Sequence, residues 1–239
     1  MAEPLLHSSR RIFLKSLGAS TAATAASGFG AAHAHSAKAP IGSLDVTSQA
    51  YTFLLPDEAA FIEAAVDVFL PKDEVGPGGV ESGVVYYIDQ YLAGAFGVGS
   101  GTNLQGPFLP GTATQGYQLP FTPQQIYRIG VREVDAHCKA TLGGKSFHAL
   151  SHDDRNSVLK RMQEGAISLP TVPARTFLLA LYNNTMEGYF ADPAYGGNRD
   201  KATWRMLGFP GVGYVYTEDI RAYSGRRQQL EPQSLADFR

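Results

Sequence analysis

The stretch Ala174-Arg175-Thr176-Phe177-Leu178-Leu179-Ala180-Leu181-Tyr182-Asn183-Asn184-Thr185-Met186-Glu187 decides the fold. The unbroken apolar run at 177–182 has neither the polar stripe of a surface helix nor the alternation of a half-buried strand. A helix apolar nearly all round belongs at the centre of a core, so other helices must surround it.

Working upstream, Ser151 with Asp153 and Asp154 opens a helix buried through Val158, Leu159 and Met162. Before it, Thr122-Pro123-Gln124-Gln125 reads as a capping box with proline at the first helical position. That helix carries Tyr127, Val131, Val134 and Cys138 on one face and stops at Gly143-Gly144. Residues 94–120 are rich in Gly, Pro, Thr and Gln without periodicity and predict a long irregular excursion. Earlier still, Pro56, Asp57 and Glu58 start a helix with the stripe Ile62, Ala65, Val66 and Phe69, and Pro71 ends it. Ser82 is then the expected N-cap of a helix buried through Val84, Ile88, Tyr91 and Leu92.

Downstream of the central run, Asp192-Pro193 and Tyr195-Gly196-Gly197-Asn198 are turn chemistry, followed by a short helix around Trp204 that stops at Gly208-Phe209-Pro210-Gly211. Residues 217–239 are polar and weakly periodic, an arm that lies over this chain or over a partner. The expected fold is mainly α: a single compact helical domain, 56–216, with long irregular loops and an extended C-terminal arm, 217–239.

Composition narrows the function. The 239 residues hold 20 Lys+Arg against 22 Asp+Glu, a net charge of -2, so the chain lacks the positive excess that nucleic-acid binding needs. No run approaches the roughly 20 apolar residues of a spanning helix, so membrane attachment is expected only through a partner. Cys138 is the one cysteine. An internal disulfide, a multi-thiolate metal site and c-type haem attachment on this chain are thereby excluded. Two readings of Cys138 stay open: a cross-link to another chain, or a buried structural thiol on an apolar helix face.

The N-terminus has the form of a twin-arginine export signal. Ser9-Arg10-Arg11-Ile12-Phe13-Leu14-Lys15 is followed by a small-residue run at 16–32 and by Ala32-His33-Ala34, an A-x-A cleavage site. We expect a signal peptide at 1–34, cleavage after Ala34, a linker at 35–55, engagement of the twin-arginine translocase during export, and a periplasmic location. That route carries cargo already folded, often with a cofactor inserted.

Templates for catalysis find little support. Gly97-Val98-Gly99-Ser100-Gly101 lacks the β-α-β surroundings of a dinucleotide loop. His148 and His152 sit near Asp153 and Asp154, but Ser151 between them reads as a cap, so the imidazoles need not share a face. Glu58 with Glu63, or Asp67 with Asp73, suit helix starts as well as an acid/base pair. No catalytic residue, metal ligand or cofactor motif is expected on this chain.

Several blocks resemble the gluconate 2-dehydrogenase subunit 3 family, the small subunit of membrane-associated flavin-dependent sugar and sugar-acid dehydrogenases. They are Phe69-Leu70-Pro71-Lys72-Asp73 with Gly76-Pro77-Gly78 and Gly83, then Tyr127-Arg128-Ile129-Gly130. The most specific are Glu187-Gly188-Tyr189-Phe190-Ala191-Asp192-Pro193-Ala194-Tyr195-Gly196-Gly197-Asn198 and Trp204-Arg205-Met206-Leu207-Gly208-Phe209-Pro210-Gly211. Lys72 departs from the small residue expected in the Pro-x-Asp block.

The resemblance implies a non-catalytic small subunit that escorts and stabilises an FAD-containing catalytic subunit. A multihaem cytochrome c subunit would pass electrons onward at the periplasmic face of the inner membrane. FAD and haem c would sit on those partners, and gluconate ranks first among the substrates. An independent periplasmic enzyme and a small exported binding protein are the alternatives. The expected subunit interface comprises Cys138, Asp192, Pro193, Tyr195, Gly196, Gly197, Asn198, Trp204 and Phe209. Within it, Asp192, Asn198 and Trp204 lean toward packing inside the chain, and Tyr195 and Phe209 toward a partner if exposed.

Overall fold

In the computed structural model the central run is a helix, Ala174–Phe190, numbered α5 here. It packs against α1 (Pro56–Phe69), α2 (Val84–Ala93), α3 (Pro123–Thr141), α4 (His152–Gln163) and α6 (Ala202–Leu207). A seventh helix, α7 (Thr217–Tyr223), lies in the C-terminal arm. The described residues are 50–102, 104–109, 111, 112, 115–213, 216–226 and 230–238, within the compact unit Ser48–Arg239. The export signal, its cleavage site and the linker up to residue 49 lie outside them.

Phe177, Leu178, Leu181 and Tyr189 of α5 are buried, but Leu179 and Tyr182 reach solvent. The helix is therefore central without being enclosed, because no element covers that side among the described residues. Its two buried polar side chains are satisfied internally. Asn184 Nδ2 donates to the Tyr127 hydroxyl at 2.9 Å, and Thr185 Oγ1 donates to the Leu181 carbonyl at 2.7 Å.

Helix α3 begins as its sequence requires. The Gln125 amide donates to Thr122 Oγ1 at 3.3 Å, and the Thr122 amide donates to Gln125 Oε1 at 2.9 Å. Ile126, Tyr127, Val131, Val134 and Cys138 form its buried face. Gly130 is there because the Phe177 ring occupies the space where a Cβ would stand. Burying Phe61, Phe147 and Phe177 together supplies much of the core, with Phe61 ring centroids 4.5 Å from Phe147 and 5.9 Å from Phe177.

Two polar clamps fix the chain's entry into α1. Asp89, fully buried on α2, accepts the amides of Thr52, Phe53 and Leu54, each at 2.8 Å. Arg128 of α3 holds Glu58 through two bonds of 2.9 and 3.0 Å, donates to the Phe53 carbonyl at 3.0 Å, and lies 4.3 Å from the Phe53 ring centroid.

The start of α2 differs from expectation. Gly83, with φ of 80°, holds the cap position and Ser82 makes no side-chain cap bond. The left-handed turn at Gly83 carries the Ser82 hydroxyl away from the first amides of α2, while its carbonyl accepts the Arg199 amide at 3.0 Å. Helix α4 does start at its predicted cap, with the Asp154 amide donating to Ser151 Oγ at 3.2 Å. His148 sits ahead of it in a separate 3₁₀ turn, Phe147–Ala149.

The C-terminal arm is neither featureless nor free. Beyond α7, its last residues fold back onto the chain, pairing Gly211 with Gln233 in an isolated parallel bridge and ending in a 3₁₀ turn, Leu235–Phe238.

Candidate functional site

The block from Glu187 to Gly211 is irregular in sequence yet tightly held. Asp192 caps the turn Pro193–Tyr195 by accepting the Ala194 amide at 2.8 Å, and its second oxygen accepts the Leu235 amide at 2.8 Å. Asn198 is fully buried, and its amide donates to the Gly188 carbonyl at 3.1 Å. Its side chain donates to the Ala191 carbonyl at 3.0 Å and accepts the Thr203 amide at 3.0 Å. The Thr203 hydroxyl stands 2.5 Å from Asn198 Oδ1 and 2.7 Å from the Tyr189 carbonyl. Trp204 Nε1 donates to the Phe190 carbonyl at 2.9 Å, and its ring meets Phe209 edge-on at 5.2 Å.

These bonds hold a strained backbone. Asn198, Asp200 and Lys201 have φ of 41°, 57° and 56°. A left-handed non-glycine residue costs on the order of 1–3 kcal/mol, so the surrounding structure must over-determine the path. It does so through Arg205, which donates to the Asp200 carbonyl, and through Lys201, paired to Asp237 at 2.9 Å. Gly196, at φ of 97°, turns the chain toward α2, where a Cβ would stand 2.6 Å from the Tyr86 ring. Gly188 likewise leaves room for Tyr87.

The expected interface residues divide accordingly. Asp192, Gly197, Asn198 and Trp204 are buried within the chain, and Pro193 and Gly196 are half-buried. Tyr195 and Phe209 are 59% and 42% exposed. Cys138 is fully buried on α3, and burial, reinforced by the Asp135 charge, pushes its thiol up to about 11. Of its two readings, the packed structural thiol is the one the fold displays: a cross-link would require the buried face of α3 to open.

The other candidates are occupied elsewhere. Glu58 is bound by Arg128, Glu63 accepts the Tyr51 hydroxyl at 2.9 Å, and Asp73 accepts the Val75 and Gly76 amides at 2.8 and 3.0 Å. Asp67 stands 4.0 Å from Arg155. Among the described residues no group of three or more His, Cys, Asp or Glu is placed to hold a metal, and no helix is long and apolar enough to cross a membrane. The glycine loop at 97–101 follows α2 rather than a strand.

Sequence reading missed an aromatic ladder beside the block. Tyr87 and Tyr91 of α2 have ring centroids 5.4 Å apart, and Tyr91 stacks parallel on Phe96 at 4.1 Å. Burial raises the pKa of Glu187, and burial followed by the Glu187 charge raises those of Tyr87 and Tyr91. The i, i+4 spacing of the tyrosines was the available signal. A cleft of about 380 Å³ also opens under α7, lined by Pro210, Tyr216, Ile220, Tyr223 and Leu230.

A family model described as gluconate 2-dehydrogenase subunit 3 matches residues 56–211, from the first residue of α1 to the glycine that pairs with the arm. No curated protein and no solved structure matches the chain.

Proposed function

Because the chain belongs to the gluconate 2-dehydrogenase subunit 3 family, and so is a subunit of a dehydrogenase complex, we propose that it is the non-catalytic small subunit that escorts and stabilises an FAD-containing catalytic partner. The complex acts on gluconate or a related sugar or sugar acid and hands electrons to a multihaem cytochrome c. It works at the periplasmic face of the inner membrane, and the Arg10-Arg11 signal on this chain takes both proteins there. FAD and haem c belong to the partners in this reading.

The family match carries the proposal, since it takes in α1 to α6 and the whole Glu187 to Gly211 block. Exposed rings at Tyr195 and Phe209, held on buried anchors, support a role in contact with another chain. An affinity tag on the full chain, expressed in its own host, should recover a yellow flavoprotein and a haem-staining band. Replacing Arg10 and Arg11 together by lysine should leave both this chain and the flavoprotein in the cytoplasm. A colourless lone monomer from the tagged wild-type chain would overturn the assignment.

A further inference from the structure

Gly211 is shaped for a backbone that comes from elsewhere in the chain. A Cβ there would stand 2.6 Å from the Gln233 amide nitrogen and closer still to the Gln233 carbonyl oxygen, and the residue's φ is 88°. Glycine meets both demands. The Val212 amide donates to the Gln233 carbonyl at 2.7 Å, and the Gln233 amide donates to the Pro210 carbonyl at 3.0 Å. This is how an extended peptide adds itself to an exposed backbone edge, here reduced to one bridge.

The side chains around that bridge follow the same mode of recognition. Pro232 and Ser234 are buried, while Glu231, Gln233 and Leu235 between and beside them are exposed, the alternation of an extended peptide lying in a groove. Both ends are gripped by charge. Arg205 donates to Glu231 from Nε at 3.1 Å and from Nη2 at 2.5 Å, and Lys201 pairs with Asp237 at 2.9 Å. Asp192 accepts the Leu235 amide with one oxygen at 2.8 Å while the Ala194 amide holds the other, so the block itself keeps this acceptor in place. The peptide is prepared too: the Ser234 amide donates to Asp237 Oδ2 at 2.7 Å and the Ala236 amide to Ser234 Oγ at 3.1 Å, a turn that caps itself. Little ordering remains to be done when the two meet.

What the segment lacks is apolar anchorage. Leu230, Leu235 and Phe238 are all exposed, and the Arg205–Glu231 pair lies at the surface, where ion pairs contribute little. Residues 231–237 are therefore held as a bound peptide is held, by backbone and polar ends. The groove lies inside the family match, which ends at Gly211, and the segment that fills it lies outside.

We propose that the face made by Asp192, Lys201, Arg205 and residues 210–212 is a recognition site for an extended peptide of the form acid-Pro-x-Ser-x-x-acid, and that residues 231–237 are its exchangeable resident ligand. The left-handed backbone at Lys201 gains a role, since it carries the ammonium that meets the second acid. Any other chain that reaches for the backbone at Gly211 must first displace the resident segment.

The test uses the purified full-length chain alone, so its outcome is independent of any flavoprotein. Glu231→Arg, Gln233→Pro and Asp237→Lys together change only the arm, and the Val212 amide reads the groove from the block side. In this triple variant Val212 should exchange at least about 10-fold faster than in wild type, with the Phe147 amide on Asp135 unchanged as the control for the body. A synthetic peptide with the sequence of residues 230–238 should then restore Val212 protection saturably, and the same peptide carrying Gln233→Pro should not. Tethering gives the arm an effective concentration in the millimolar range, so the peptide is taken to several millimolar. If Trp204 emission shows that the triple variant disturbs the block, Glu231→Arg with Asp237→Lys, which keeps the backbone bonds, takes its place in the titration. Val212 still protected in the folded variant without peptide, or still unprotected at saturating peptide, overturns the recognition site.

Discussion

The body built by α1 to α5 and the block at 191–238 are held together by different physics. In the body, Phe61, Phe147 and Phe177 meet as rings and the helices follow from caps and apolar spacing. In the block the helices and 3₁₀ turns are short, and position is set by side chains bonding to backbone: Asp192 to Ala194 and Leu235, Asn198 to Ala191 and Thr203, Trp204 to Phe190. Apolar packing tolerates changes that conserve volume, because it has no direction. A net of directional bonds around left-handed residues tolerates little substitution and in return fixes surface groups such as Tyr195 with precision.

The sharpest test of this contrast is Phe177→Ala. The ring is fully buried and packs against Phe61 and Tyr127, so its loss should destabilise the whole fold by about 3–5 kcal/mol. Chemical denaturation should show the helical signal and the fluorescence of Trp204 falling together.

Asn198→Ala should act differently. It strips the Thr203 amide and the Ala191 carbonyl of their partner and leaves an alanine in a left-handed conformation, at a cost of about 2 kcal/mol. Trp204 is the chain's single tryptophan and sits in the block, so its emission reads the block alone. The Trp204 transition should move to lower denaturant ahead of the helical signal. Coincident transitions in this variant would show that block and body form one cooperative unit.

The smallest effect concerns the arm. The Ser234 amide and then Lys201 hold the Asp237 carboxyl below its ordinary range, and Arg205 does the same for Glu231 at 2.5 Å. A carboxylate with a depressed folded pKa adds stability that is present above its unfolded value and lost as pH falls through the folded value. The arm should therefore stay docked at neutral pH and loosen at pH below about 4, where free carboxylates are already protonated. Exchange of the Ser234 and Leu235 amides, faster in acid than the intrinsic rate predicts, is the measurement. Full protection persisting at pH 2 would show that packing rather than charge holds it.

The body was largely legible because its signals are local. Thr122 with Gln125, Ser151 with Asp154, and the glycines after α3 each act within one turn, and each does what its residue type implies. Errors began where distant segments intervene. Ser82 lost the cap of α2 because the turn at Gly83 carries its hydroxyl away while Arg199 takes its carbonyl. The open side of α5 could not be read, since an all-apolar helix does not say which of its faces its neighbours will reach.

In the candidate site turn chemistry and residue size favoured packing inside the chain for Asp192, Asn198 and Trp204, and all three are buried. The exposure of Tyr195 and Phe209 is seen only in the structure, because a ring in a turn-rich segment does not say whether it faces inward. Left-handed Asp200 and Lys201 have no local signal either, because Arg205 and Asp237 put them there.

The clamp of Asp89 on three successive amides has a mechanical side. A pull on the chain ahead of residue 52 meets the Asp89 carboxylate of α2 before it reaches the first turn of α1. Force entering at that end is therefore carried first by a helix more than 30 residues further along the chain, and α1 feels it only after three bonds to that helix have given way.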